Sequence, residues 1–255
     1  MMMKSKSFIL LIVCFAFGCK SEYSPHDLAF LSSGAIKAIG KVSDNYEEDD
    51  FKYYLGNSLL KEGKFERGQK IGTWEYHLDS GLYTIDWKIY HRNDDSLSVS
   101  VPSLWKYYEA KDRLFLADVT PDISTDKKKL FAAINHDLSG ETYSLEEMAG
   151  IYYAQTSEIF DINDKDGYRL DTEDRSYYFM KFDAVLEEEK YVIFSFSFVE
   201  DHYYYEISLI HDADQKQIKE VLFFDIIYGT FINNSRILSP FKEIEVNKIA
   251  FPTSI

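Results

Sequence analysis

The sequence predicts an α+β fold: an antiparallel sheet with two packed helices, preceded by a smaller β-hairpin region. Three observations point there. First, KYVIFSFSFVEDHYYYEISLIHDA alternates like a strand pair, with Val192, Phe194, Phe196 and Phe198 on one side and Ile193, Ser195 and Ser197 on the other. Second, two segments carry helical spacing instead, YSLEEMAGIYYAQTSEIF and DQKQIKEVLFFDIIYGTFIN. Third, strands come in runs between those helices, the order that packs helices onto one antiparallel sheet.

The N-terminus comes first and lies outside that fold. Lys4 and Lys6 precede an unbroken apolar run, Phe8 to Phe17, and then come Gly18, Cys19, Lys20 and Ser21. This is the three-part layout of a secretory signal, too short to span a bilayer as a helix of about 20 apolar residues. Ala16 and Gly18 ahead of a cysteine resemble a bacterial lipobox, and the phenylalanine-rich lead resembles lipoproteins of Bacteroidota. The resemblance implies a signal peptide over 1–18, lipidation of Cys19 and a cell-envelope address at the outer membrane, facing the periplasm or the surface. The other cysteine, Cys14, sits inside the apolar run and leaves with it. The mature chain then has neither a disulfide nor a thiol nucleophile.

Charge narrows the partners. The chain carries 28 basic and 43 acidic side chains, a net charge of −15, and loses Lys4 and Lys6 with the signal. Nucleic-acid binding needs a basic footprint, so no nucleic-acid partner is expected. Anionic lipid would repel the chain, leaving the N-terminal lipid as its membrane contact. The 20 Tyr and 19 Phe suit strands, cores and interfaces.

Residues 19–50 read as a tether, with LAFLSSGAIKAIGKV as a short helix and an acidic, solvated end. Residues 51–95 read as short strands broken by glycine. In GKFERGQKIGTWEYHLDSG, Trp74 and Tyr76 share one face of a strand, and LYTIDWKIYHRND repeats the theme with Trp87 and Tyr90. Gly72, Trp74 and Tyr76 resemble the MORN repeat pattern; Asp86, Trp87 and Tyr90 resemble it only loosely. Repeat arrays need about three units to bury a shared core, so these hairpins are expected to lean on the neighbouring C-terminal domain.

From Leu97, the segments LSVSVPSLWKYYEA, LFLADV and LFAAINHDLS read as three strands. Ser144 with Glu147 three residues on forms a capping box. Leu145, Met148, Ala149, Tyr152 and Thr156 then make one helical face, and DINDKDG ends the helix. YRLDTED, SYYFMKFDAVLEE and the aromatic hairpin come next, with Glu200, Asp201 and His202 as its turn. The last helix presents Ile218, Val221, Leu222 and Tyr228 as its buried side. Residues 96–240 resemble the PsbP/DcrB-like family, through VSVPSLWKYY, LFAAINHDL, the capped helix, the aromatic hairpin and the closing VLFFDIIYGTFI. Residues 241–255 read as a tail. The resemblance implies a domain that binds partners and has no shared catalytic set.

Residues of catalytic type form no constellation along the chain. His26, His77, His91, His136, His202 and His211 are scattered, without HExxH or a metal spacing. His136–Asp137, Asp201–His202 and His211–Asp212 would make an acid–base site only if folding gathered them. DINDKDGYRLDTE has an EF-hand rhythm, but Ile162 stands where the first ligand belongs. Ser58 to Lys61 and Ser103 to Lys106 match S-x-x-K without its companion motifs. No catalytic residue, metal or cofactor is therefore expected. The expected function is a lipid-anchored accessory protein that binds an envelope protein, with Trp74, Tyr76, Trp105, Tyr203, Tyr204 and Tyr205 as exposed aromatic contacts. The alternatives are an immunity-type lipoprotein that neutralises a basic toxin, and an unrecognised hydrolase built on the His-Asp pairs.

Overall fold

The computed structural model describes residues 36–92, 96–110, 113–117, 130–137, 143–200, 203–213, 216–240, 242–249 and 251. Six strands come first: β1 (Ile36–Ser43), β2 (Tyr46–Leu55), β3 (Ser58–Glu66), β4 (Gln69–Leu78), β5 (Gly81–His91) and β6 (Leu97–Pro102). Then come β7 (Lys106–Ala110), β8 (Arg113–Ala117) and β9 (Leu130–Asp137), followed by helix α1 (Leu145–Ile159). Four long strands succeed it: β10 (Asp161–Asp171), β11 (Ser176–Leu186), β12 (Glu189–Glu200) and β13 (Tyr203–Asp212). Helix α2 (Lys216–Tyr228) leads into the short β14 (Thr230–Ile232), β15 (Ser235–Arg236) and β16 (Glu245–Lys248).

The strands form two eight-stranded antiparallel sheets. The first runs β1-β2-β3-β4-β5-β6-β14-β15 and the second β16-β10-β11-β12-β13-β9-β8-β7. One core cluster joins Trp74 and Tyr76 of the first sheet, Val221 and Phe223 of α2, and Phe179 and Phe194 of the second sheet. Helix α2 is thus sandwiched between the sheets. Phe179 stacks on Phe224 at 5.4 Å and Phe194 on Phe223 at 5.3 Å. The other face of the second sheet carries α1, over Phe182, Met180 and Ile193. The order of layers is sheet, helix, sheet, helix.

Among the described residues this is an α+β arrangement of antiparallel sheets and two helices, with several departures from the sequence reading. Residues 36–50 belong to β1 and β2, not to a tether or a helix. Ile36, Ala38 and Tyr53 point at the core, and the strand alternation is masked by exposed Ile39 and Val42 and by the register break between Ile39 and Lys41. The division at residues 95 and 96 falls inside the first sheet, because β6 pairs with β5 from Trp87 and Pro102 to His91 and Ser98. LSVSVPSLWKYYEA is two strands in different sheets; the chain breaks after Pro102, which has no N–H to continue a ladder. DINDKDG is not a helix stop or a calcium loop. It opens β10, where Asp166 stands opposite Lys181 and pairs with Lys248 at 2.5 Å.

The tail also joins the fold: β16 pairs with β10 from Tyr168 and Lys248 to Asp171 and Glu245. Helix α2 stops at Tyr228, and Thr-Phe-Ile, which suits a strand, pairs with β6. It is not amphipathic either. Residues 218–227 are buried without a break, as expected of a helix held between two sheets.

Candidate functional site

Burying a helix on all sides forces its charged residues to find partners inside. Asp225 of α2 faces the inner side of the first sheet and collects three donors there. Lys61 Nζ donates to Oδ1 at 2.5 Å, while Lys70 Nζ and Tyr76 Oη donate to Oδ2 at 2.7 and 2.9 Å. Lys70 also donates to Tyr76 Oη at 3.1 Å and lies 3.3 Å from the centre of the Trp74 ring. Strand alternation explains the convergence. Lys61 on β3 stands opposite Tyr76 on β4, and Trp74 and Tyr76 point inward together. Lys70 is the second residue of the same strand, just after the tight turn at Arg67 and Gly68.

A second ion pair borders the first. Arg236 Nη2 donates to Glu47 Oε2 at 2.8 Å, and to the Gly68 carbonyl, with both side chains almost fully buried. Between the two pairs lies a cavity of about 50 Å³, lined by Glu47, Tyr53, Lys61, Lys70, Asp225 and Tyr228.

The electrostatics follow from burial. Removal from water pushes the Asp225 carboxyl up, but Lys61 and Lys70 outweigh it and hold the group below its usual range. Burial drives Lys70 well below the ordinary lysine value; Asp225 opposes this and the nearby Lys61 charge adds to it. Asp225 is the ionised centre of the cluster, and its two lysines share one counter-charge. The Tyr53 phenol is pushed well up by burial, and then by Glu47 and Asp225.

A lysine held low is the kind of amine that forms Schiff bases. Lys70 is only 3% exposed, however, and its ammonium is already bonded to Asp225 and Tyr76. The cavity has room for a few waters. The cluster therefore ties α2 to the first sheet.

The residues singled out from the sequence do not gather here as a surface. Trp74 and Tyr76 are fully buried and form the wall of this cluster. Trp105 is also buried, and Tyr204 is buried beside Met148 of α1. As contacts that a partner reaches directly, these four are corrected: their rings fill the core that a high aromatic content implies. Tyr203 and Tyr205 remain partly exposed, 6.3 Å apart, with Tyr205 stacked on Phe198. Cys19 lies outside the described residues, as do Asp201 and His202.

The hydrolase grouping also fails on geometry. His136 stands opposite Tyr204 in the ladder, and Asp212 lies eight residues further along β13. At ~3.4 Å per residue these positions are about 27 Å apart. His211 is buried and stacks on Phe194 at 5.6 Å. Sequence reading missed Lys61, Lys70 and Asp225, whose only early sign was charge at inward-pointing positions. It also missed Glu62, Glu75 and His77, which converge on the outer face of the first sheet.

What the fold and site define is an α+β protein with an internal ion cluster beside a small cavity. Comparison with known proteins adds likeness of shape. No family model matches the chain, and no curated protein matches it. The chain is similar to the solution structure of cyanobacterial PsbP (CyanoP) from Synechocystis sp. PCC 6803, at 12% identity and a TM-score of 0.44, covering 57% of this chain and 92% of that one. It is also similar to a crystal structure from Bacteroides thetaiotaomicron VPI-5482, at 13% identity and a TM-score of 0.35. That match covers 57% of this chain and 48% of the other, so the chain spans about half its length. Likenesses at this level carry no argument about function.

Proposed function

We propose that the chain is a cell-envelope accessory protein that acts by binding a protein partner, held at the membrane by lipid on Cys19. The observation that carries the binding reading is the internal pairing of the ion cluster. Its perturbed groups satisfy one another around a cavity of about 50 Å³, so the chemistry-bearing residues serve cohesion. Partner contact then falls to the outer surface. Tyr203 and Tyr205 lie at the start of β13, and Leu104 and Tyr107 are exposed beside the passage from the first sheet to the second. The lipobox-like Ala16-Phe17-Gly18-Cys19 supplies the address, and the net charge of −15 favours a partner with a basic face.

The test is affinity recovery of the lipidated protein from its native membrane, beside the Cys19→Ala and the double Tyr203→Ala, Tyr205→Ala variants. The expected result is one stoichiometric protein, lost with the tyrosines, and release of the Cys19→Ala chain from the membrane. A toxin as that protein would select the immunity reading. Recovery of no specific protein would overturn the proposal.

A further inference from the structure

The outward side of β3 and β4 carries a second convergence, unconnected with the buried cluster. Glu62 stands directly opposite Glu75, and His77 comes two residues after Glu75, on the same face. One ligand-type atom from each lies within 4.8 Å of the others. His77 Nε2 is 4.0 Å from Glu75 Oε2, too far for a hydrogen bond. That nitrogen is nonetheless shielded from solvent and has no hydrogen-bond partner among the described residues. Two like charges facing each other across a ladder are destabilising. Lys52 compensates one of them, at 2.5 Å from Glu62, and leaves Glu75 facing the imidazole.

We propose that Glu62, Glu75 and His77 bind a divalent transition-metal ion of the Zn²⁺ type. The donor set, one imidazole and two carboxylates, suits a borderline cation and not a purely oxygen-seeking one. Ligand atoms about 2.1 Å from a tetrahedral ion stand roughly 3.4 Å apart, so a side-chain adjustment of about an ångström completes the set. The backbone is already fixed. The neighbours of the three ligands, Lys61, Trp74 and Tyr76, are locked on the inner face by Asp225 and the core. A site raised on strands held in this way keeps its geometry. Three protein ligands leave a fourth position for water. The ion would cancel the Glu62–Glu75 repulsion and occupy the orphaned His77 nitrogen, and Lys52 would be its competitor.

Zn²⁺ titration of the full mature chain by calorimetry, with Co²⁺ absorption as a second readout, decides the matter. The expected result is one ion per chain, weakened at least about tenfold in His77→Ala and Glu75→Gln. Lys52→Ala should bind more tightly, because it frees Glu62; a purely structural triad would not respond so. His77→Ala and Glu75→Gln lie on the outer face and should melt no lower than the parent in metal-free buffer. No binding by the parent, or binding unchanged in His77→Ala, would overturn the proposal.

Discussion

Asp225 shows how much one residue can fasten. It is the sole carboxylate bonded to both Lys61 and Lys70 among the described residues, and its removal would leave two ammonium groups facing a low-dielectric interior. Breaking a buried pair from one side costs about 3–5 kcal/mol, because it leaves an uncompensated buried charge. Asp225→Ala should therefore lose about that much in urea denaturation. Lys70→Met, which leaves the Lys61–Asp225 pair and keeps Trp74 covered, should lose far less. Acid should act through the same group. An unfolded Asp takes its proton near pH ~3.9, and the folded Asp225 holds out to lower pH. Its contribution is thus complete above that value and is lost as pH falls through the folded one. Asp225→Asn should flatten the acid limb of a stability–pH curve; an unchanged limb would place the acid sensitivity elsewhere.

Among the elements, the first sheet is shaped by two glycines. Each lies at a break in register, Gly40 between Ile39 and Lys41 and Gly63 between Glu62 and Lys64. Each is also covered by a ring from the next strand, Phe51 over Gly40 and Trp74 over Gly63. A Cβ at Gly63 would fall well inside contact distance of the Trp74 ring, which is fully buried and further held by its Nε1 bond to the Lys64 carbonyl at 3.0 Å. Gly63→Ala should cost roughly 1–3 kcal/mol by overpacking, read as a lowered urea midpoint. Helix α1 depends on its cap: Ser144 Oγ accepts from Glu147 N, and Glu147 Oε2 accepts from Ser144 N at 2.7 Å. Those bonds hold the Glu147 carboxyl below its usual value. Ser144→Ala should cost about 1 kcal/mol, seen as a lower thermal midpoint. The cap was plain in the sequence because its two residues are neighbours. The turn at Glu187 and Glu188 was not, since both take positive φ against their own preference, as the twist of β11 and β12 demands.

At the scale of the molecule, the two sheets cannot be parted without baring α2. Residues 218–227 are buried by β4 and β6 on one side and by β13 on the other, and β14 returns to the first sheet from beyond the helix. A chain beginning at Leu97 would expose that helix and the inner faces of Phe179 and Phe194. It should be recovered as an aggregate or with a molten near-ultraviolet spectrum. A sharp, cooperative melt of the fragment would show that the second sheet stands alone.

The sequence by itself determined what repeats locally. The period-two alternation of β12 and the capping box of α1 each arise from residues a few positions apart. The apolar N-terminal run and the acidic balance were equally open to view. Tertiary structure alone decided what depends on distance along the chain. It sent β6 and β7 into different sheets, enclosed α2 on every side and turned Trp74 and Tyr76 inward. It also set Asp225 against Lys61, 164 residues away, and Glu62 against Glu75 and His77. The reason is physical: a buried charge or an outward triad is defined by what folding brings opposite it, and no local pattern encodes a cross-strand neighbour's identity.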